Sequence, residues 1–251
     1  MQIYRVSVEL LDYVFYATTE RGKVHETGAF LHNYALAYAL GLARGSTYTY
    51  ARKIQQPHYE EELSYLNGVL YLTPAAPLQA LYRVVQWNSI GESFVLTRER
   101  SAGYPDWGLA RVLRPGSRFR FYLLLHGPER LPDAPALRVL LDGGTVRVRL
   151  GKFPAKARLR GEPAQRSEEK RGSFVSEALL NWRDLEADPL VCDVVPTGRP
   201  TTLIFRANFD DEPFYEATFG NNEDKEVVRL PKRMGFLARG FRAKSGRRNP
   251  T

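Results

Sequence analysis

Thr145–Arg160 reads TVRVRLGKFPAKARLR. Val146, Val148 and Leu150 alternate with Arg147 and Arg149, the period of two that buries one face of a strand and exposes the other. The outward face is all arginine. Past Gly151 the cations continue at Lys152, Lys156, Arg158 and Arg160 with Phe153 among them, and this part reads as a basic, aromatic-bearing loop. A cationic sheet face running into such a loop suits a polyanion with flat bases better than a small metabolite. The plainer alternative is a solvated outer strand kept soluble by charge. Solubility is served by mixed signs, however, and here the outward positions share one.

Outward from this stretch the chain reads as mostly strand. Leu137–Leu141 and Thr145–Leu150 flank Asp142-Gly143-Gly144, which predicts a β-hairpin. Phe119–Leu125, Ala80–Trp87, Val69–Leu72 and Ile3–Leu11 are further strands, with Thr73–Pro77 irregular, Asn88–Glu92 a turn and Phe94–Thr97 the start of another strand. Residues 26–43 (ETGAFLHNYALAYALGLA) predict a helix with Thr27 as N-cap and an apolar stripe of Phe30, Leu31, Tyr34, Tyr38 and Leu42. Residues 161–173 (GEPAQRSEEKRGS) are poor in apolar side chains and read as a mobile surface loop. Leu179–Leu185 fits a helical turn or an extended corner. Thr201–Phe209, Phe214–Phe219 and Val227–Pro231 are strands. The order β-α followed by many strands predicts an α+β fold with helices on one face of an antiparallel sheet. The expected organisation is one domain over 1–235, a protruding arm or thumb within 44–112, and a basic, disordered tail at 236–251.

Composition narrows the function. The 251 residues carry a net charge of +8 and 43% hydrophobic residues, enough for a sizeable core. Arg outnumbers Lys, which favours bidentate contacts with phosphate and stacking on bases. One cysteine, Cys192, rules out a disulfide framework and a cysteine-based zinc site. No phosphate-binding loop, dinucleotide fingerprint, nucleophile elbow or metal-spaced acidic cluster is present, so no metal or cofactor is expected. No apolar run approaches the ~20 residues that span a bilayer. The sequence reads as a soluble, cytoplasmic protein.

Several segments together resemble one family. They are residues 3–41, including Glu26-Thr27 and Leu31-His32-Asn33-Tyr34-Ala35-Leu36; Gln86-Trp87-Asn88-Ser89 with Gly91-Glu92; Arg149-Leu150-Gly151-Lys152-Phe153 with Lys156-Ala157; Leu180-Asn181 with Asp184-Leu185; and Asp193–Pro196. In this order they resemble the Csc-one, or Cas-five-like, subunit of type I-D CRISPR surveillance (Cascade) complexes. That resemblance implies a RAMP-type, ferredoxin-like (RRM-like) palm with an inserted β-rich arm or thumb. It implies a non-catalytic role in antiviral defence: binding the 5′ handle of the CRISPR RNA (crRNA), capping the backbone filament and acting near the PAM of target double-stranded DNA. The implied partners are a neighbouring Cas-seven-like backbone subunit and a Cas-ten-like large subunit. Pro154-Ala155 departs from the larger, polar pair expected before Lys156.

A hooked, single-stranded handle needs phosphate contacts and planes for splayed bases. Arg147, Arg149, Lys152, Lys156 and Arg158 supply the first and Phe153 the second. His32 and Asn33 lie near the start of the predicted helix, where amide groups attract phosphate, although Tyr34 reads as core. Gln86 and Asn88 either read base edges or close a turn. Lys53, Arg98 and Arg100 are loop cations within reach of RNA or DNA. The competing reading is a metal-independent endoribonuclease that cuts repeat RNA with His32 as base, aided by Lys152 or Tyr34. A third reading is a basic scaffold that meets an acidic protein.

Overall fold

The structure, a computed structural model, describes residues 1–16, 18–21, 24–45, 58–89, 106–151, 155–195, 200–221 and 224–239. The first strands are β1 (Gln2–Leu10), β2 (Thr19–Arg21), β3 (Val24–Glu26), β4 (Leu70–Leu72) and β5 (Ala76–Gln79). Next come β6 (Tyr82–Ser89), β7 (Asp106–Leu113), β8 (Arg118–Leu125), β9 (Thr145–Leu150) and β10 (Ala155–Pro163). The last are β11 (Arg166–Ser176), β12 (Leu180–Asn181), β13 (Val191–Val195), β14 (Leu203–Phe219) and β15 (Glu226–Pro231). Among the described residues three short α-helices, α1 (Asn33–Ala39), α2 (Tyr59–Leu63) and α3 (Pro135–Leu141), complete a mostly antiparallel α+β fold.

A six-stranded sheet runs β4-β8-β1-β10-β9, with β5 also on β8. It curls, because α1 contacts both β4 and β9, the strands at its two ends. Tyr4, Val6, Val8 and Leu10 of β1 are buried with Phe119, Phe121 and Leu123 of β8 and Ala157 and Leu159 of β10. This is the apolar half of the alternation, and α3 packs on it. A Cβ on Gly161 would lie 2.5 Å from the Leu140 carbonyl oxygen, so only glycine admits α3 this close to β10. A second, five-stranded sheet is built on the long strand β14, with β11, β12, β13 and β15 along it. The main buried cluster runs unbroken through both sheets. The third sheet, β2-β3-β7-β6, holds the β6–β7 hairpin and a parallel β3–β7 pair. Of the expected arm, β4 and β5 belong to the six-stranded sheet, and β6 and β7 form the separate piece.

Several expectations are corrected. The helix predicted over 26–43 is only α1, with His32 as its N-cap. Glu26 is taken by β3, the Thr27 amide donates to the Arg111 carbonyl, and Leu31 bridges Ala75, so the chain enters extended. Asp142-Gly143-Gly144 ends α3 instead of joining two strands. Gly143 has φ +76° and the Gly144 amide returns to the Val139 carbonyl, the helix-ending use of the same glycine chemistry. The actual hairpin is β9–β10, which places Lys156, Arg158 and Arg160 on a strand and not in a loop. Its first strand ends at Gly151, φ +85°, where a Cβ would sit 3.0 Å from the Phe15 carbonyl oxygen.

Apart from a turn at Ala164 and Gln165, residues 161–173 are strand, in β10 and β11. Their charges are held across the ribbon by pairs such as Lys170–Glu216 at 2.5 Å and Arg171–Asp211 at 2.9 Å. Pro77 lies within β5, beside a register shift, so the stretch from Thr73 is not wholly irregular. Asn88 is in β6, not in a turn. Leu179–Leu185 resolves into β12 and a 3-10 turn at Trp182–Asp184. Phe236 and Leu237, assigned to the tail, are buried in the core. Phe94–Thr97 and residues 240–251 lie outside the described residues.

Candidate nucleic-acid interface

The register of the six-stranded sheet builds one outward face. Arg147 pairs with Arg158, and Glu9 of β1 lies between Arg158 and Arg118 of β8. The next row is Thr145, Arg160, Ser7 and Arg120. Beyond the first row, Arg149 lies opposite Lys156. Paired residues share a face about 4.5–5.5 Å apart, so the sequence alternation becomes a continuous cationic surface. Arg147, Arg149, Lys156, Arg158, Arg160 and Arg118 are all exposed on it.

Some of these charges are answered within the fold. Arg158 pairs with Glu9, and the Arg118 guanidinium donates to Gln79 at 3.0 Å. At the far end Glu226 of β15 accepts from Arg5 at 2.5 Å, Arg120 at 2.7 Å and Tyr122 at 3.0 Å. Burial would raise the Glu226 carboxyl, but these donors and the Arg120 charge hold it below the usual range. Among the described residues Arg147, Arg149, Lys156 and Arg160 have no ion-pair partner. Two like-charge pairs, Arg147 with Arg158 and Arg149 with Lys156, therefore face each other directly across β9 and β10. Such pairs cost stability. On the β11–β14 ribbon, by contrast, Lys170 and Arg171 reach carboxylates on the diagonal, Glu216 and Asp211.

His32 and Asn33 do not join this face. Both are buried, His32 6% exposed and Asn33 0%. They belong to a polar cluster centred on Asp184, which is itself fully buried. Asp184 Oδ1 accepts from Tyr34 Oη at 2.7 Å and the Leu237 amide at 2.8 Å. Its Oδ2 accepts from Asn33 Nδ2 at 2.7 Å, Tyr71 Oη at 3.0 Å and Asn181 Nδ2 at 3.0 Å. Burial pushes this carboxyl up to about 6 against the five donors. His32 Nδ1 accepts from the Tyr34 amide, so the ring proton sits on Nε2, which donates to Thr201 Oγ1 at 2.8 Å. Thr201 passes the chain of hydrogen bonds to Asn181 Oδ1 at 2.7 Å. Burial pushes the His32 imidazole down to about 3, so it is neutral. The quoted segments around His32–Tyr34 and Asn181–Asp184 thus meet as a structural knot joining α1, β4, β12 and the C-terminal end.

Of the remaining site expectations, Gln86 is exposed on β6, in the sheet separate from the cationic face. The Asn88 side chain, Lys152, Phe153, Lys53, Arg98 and Arg100 lie outside the described residues. Arg118, Arg120 and Arg160 on the face were not among the predicted contacts. Arg118 and Arg120 alternate with Phe119 and Phe121 just as Arg147 and Arg149 alternate with Val148 and Leu150, so the signal was present. Among the described residues no group of three or more His, Cys, Asp and Glu could hold a metal ion, and no helix is long and apolar enough to cross a membrane.

A crystal structure of a CRISPR protein from Archaeoglobus fulgidus is similar at 14% identity and TM-score 0.45, over 92% of this chain and 100% of that one. A chain in a cryo-EM structure of the Type III-B Cmr-beta bound to cognate target RNA is similar at 10% identity and TM-score 0.42, over 98% and 90%. No curated protein matches the sequence. The family described as type I-D CRISPR-associated protein Cas5/Csc1 matches residues 1–239. With nearly the whole length matched, the chain belongs to the type I-D Cas5/Csc1 family of CRISPR-associated proteins.

Proposed function

We propose that this chain is a non-catalytic subunit of a type I-D CRISPR surveillance complex. It binds the crRNA 5′ handle on the β9–β10 face, adjoins the backbone and large subunits, and acts next to the PAM of target DNA. The observation that carries this reading is the run of cations on β9 and β10, where Arg147 faces Arg158 and Arg149 faces Lys156 at a cost to the fold, and where Arg147, Arg149, Lys156 and Arg160 meet no carboxylate among the described residues. A strand of phosphates supplies the missing negative charge. The palm is of the ferredoxin-like kind. In its support, β10-β1-β8-β4 is the strand order of a βαββαβ unit, with α1 between β1 and β4, α3 between β8 and β10, and β9 added at the edge.

The endoribonuclease reading loses its base. His32 is neutral and sealed from solvent, with both ring nitrogens engaged, whereas a general base must reach the proton it removes. Ultraviolet crosslinking of the protein to crRNA tests the proposal. Crosslinks are expected in peptides covering 145–160, and no specific cleavage of repeat RNA is expected in the same incubation. Crosslinks confined to other segments, or cleavage lost in His32→Asn, overturn it.

A further inference from the structure

A single-stranded RNA presents bases as well as phosphates, and bases need flat rings to stack on. Among the described residues Tyr13 is the only exposed Tyr, Phe or Trp side chain, at 39%. A lone exposed ring is ordinary on a protein surface; its place is what singles this one out. Leu11, one residue past β1, donates its amide to the Lys156 carbonyl at 2.9 Å. That bond continues the β1–β10 register by one step, so Leu11 joins the row of Arg149 and Lys156. Leu11 is itself 38% exposed. Tyr13 follows two residues on, no more than about 7 Å of chain.

The ring is held but not covered by its cation. Arg83 of β6 donates from Nη1 to Tyr13 Oη at 2.9 Å, while the guanidinium carbon stands 5.8 Å from the ring centroid. Where an arginine lies flat on a tyrosine in this fold, that distance is 3.7 Å for Arg44 on Tyr65 and 3.9 Å for Arg111 on Tyr82. Arg83 therefore holds the hydroxyl end and does not lie over the ring. On the backbone side, the Asp12 carboxylate accepts from the Tyr13 amide at 2.9 Å, and the next residue, Val14, is buried and bonded to Leu113. The ring is anchored from both ends, so it has little freedom left to lose when a ligand stacks on it.

We propose that Tyr13 is the stacking platform for one base of the RNA, with the phosphates beside that base on Arg149 and Lys156. The proposal rests on the reading of the β9–β10 face as the RNA surface, and it adds a contact that carries no charge.

The test measures binding of the full chain to single-stranded 5′-handle RNA, intact and with an abasic site at each position in turn. Tyr13→Ala is expected to weaken binding of the intact RNA at least about fivefold, the lower end for one stacked base. The slope of log affinity against log salt should stay as in wild type, because no phosphate contact is removed. Tyr13→Phe keeps the ring and is expected to stay within about twofold of wild type. One abasic position should cost the wild type as much as Tyr13→Ala does, and cost the Tyr13→Ala protein nothing further. A Tyr13→Ala variant with an unchanged melting temperature that binds like wild type overturns the platform. So does a loss in that variant to which every abasic site adds in full, the mark of a structural role. A wild type indifferent to every abasic site overturns it as well, without any variant. A wild type with no affinity for the handle overturns the reading of the face, and the platform with it.

Discussion

Arg147, Arg149, Lys156 and Arg160 stand in solvent with no carboxylate among the described residues to answer them, whereas buried Asp184 takes five hydrogen bonds. Both clusters hold residues of the kinds that bind RNA. The difference lies in saturation. Around Asp184 every donor is spent inside the protein, so the cluster fixes the fold and has nothing left to offer a ligand. On the β9–β10 face the charges repel one another and remain unspent, so their counterpart lies outside the chain. A polar residue becomes a binding residue by what its neighbours leave undone.

The largest effect should come from breaking the buried cluster. Asp184→Ala leaves five donors without their acceptor and should cost about 3–5 kcal/mol, seen as a large fall in melting temperature. A pH-dependent effect belongs to His32, small near neutrality and accumulating only in acid. Its pKa, about 3 in the fold against about 6.5 in the unfolded chain, is depressed, so its stabilisation is present above pH 6.5 and is lost as pH falls toward 3. His32→Asn keeps an N-cap but removes this titration. The stability of wild type relative to that variant should therefore fall by about 1.4 kcal/mol per pH unit between those limits, measured by denaturant titration. Asp184 titrates in both proteins, so its opposite slope drops out of the comparison. The smallest effect sharpens the contrast most. Arg149→Glu places a carboxylate opposite Lys156 and should raise stability by about 0.5 kcal/mol, while crRNA binding weakens.

Much of the outward face was legible in the sequence, because a period of two is local. β1, β8 and β9 follow from it, and the arginine face with them. What was illegible depends on distant partners. Nothing near His32 or Asn33 points to Asp184, which lies 151 residues beyond Asn33. The β11 ribbon, exposed along much of its length, shows no apolar period, and its Lys170–Glu216 pair spans 46 residues. Asp142-Gly143-Gly144 misled for another reason: a glycine with positive φ ends helices as readily as it joins strands. Arg158 reads as an RNA contact in the sequence, and in the fold Glu9 pairs with it, while Arg160 in the same stretch is free among the described residues.

The most direct test is the salt dependence of binding to single-stranded 5′-handle RNA, for wild type and for the Arg147→Ala/Arg149→Ala/Lys156→Ala/Arg160→Ala variant. Phosphate contacts from these side chains alone give log affinity against log salt a slope near −3, at about 0.7 per contact. The account predicts that the variant loses most of this slope and that a control, Lys170→Ala/Arg171→Ala on the paired ribbon, keeps it. A variant with the wild-type slope, or a control that loses as much, would contradict the assignment of the face.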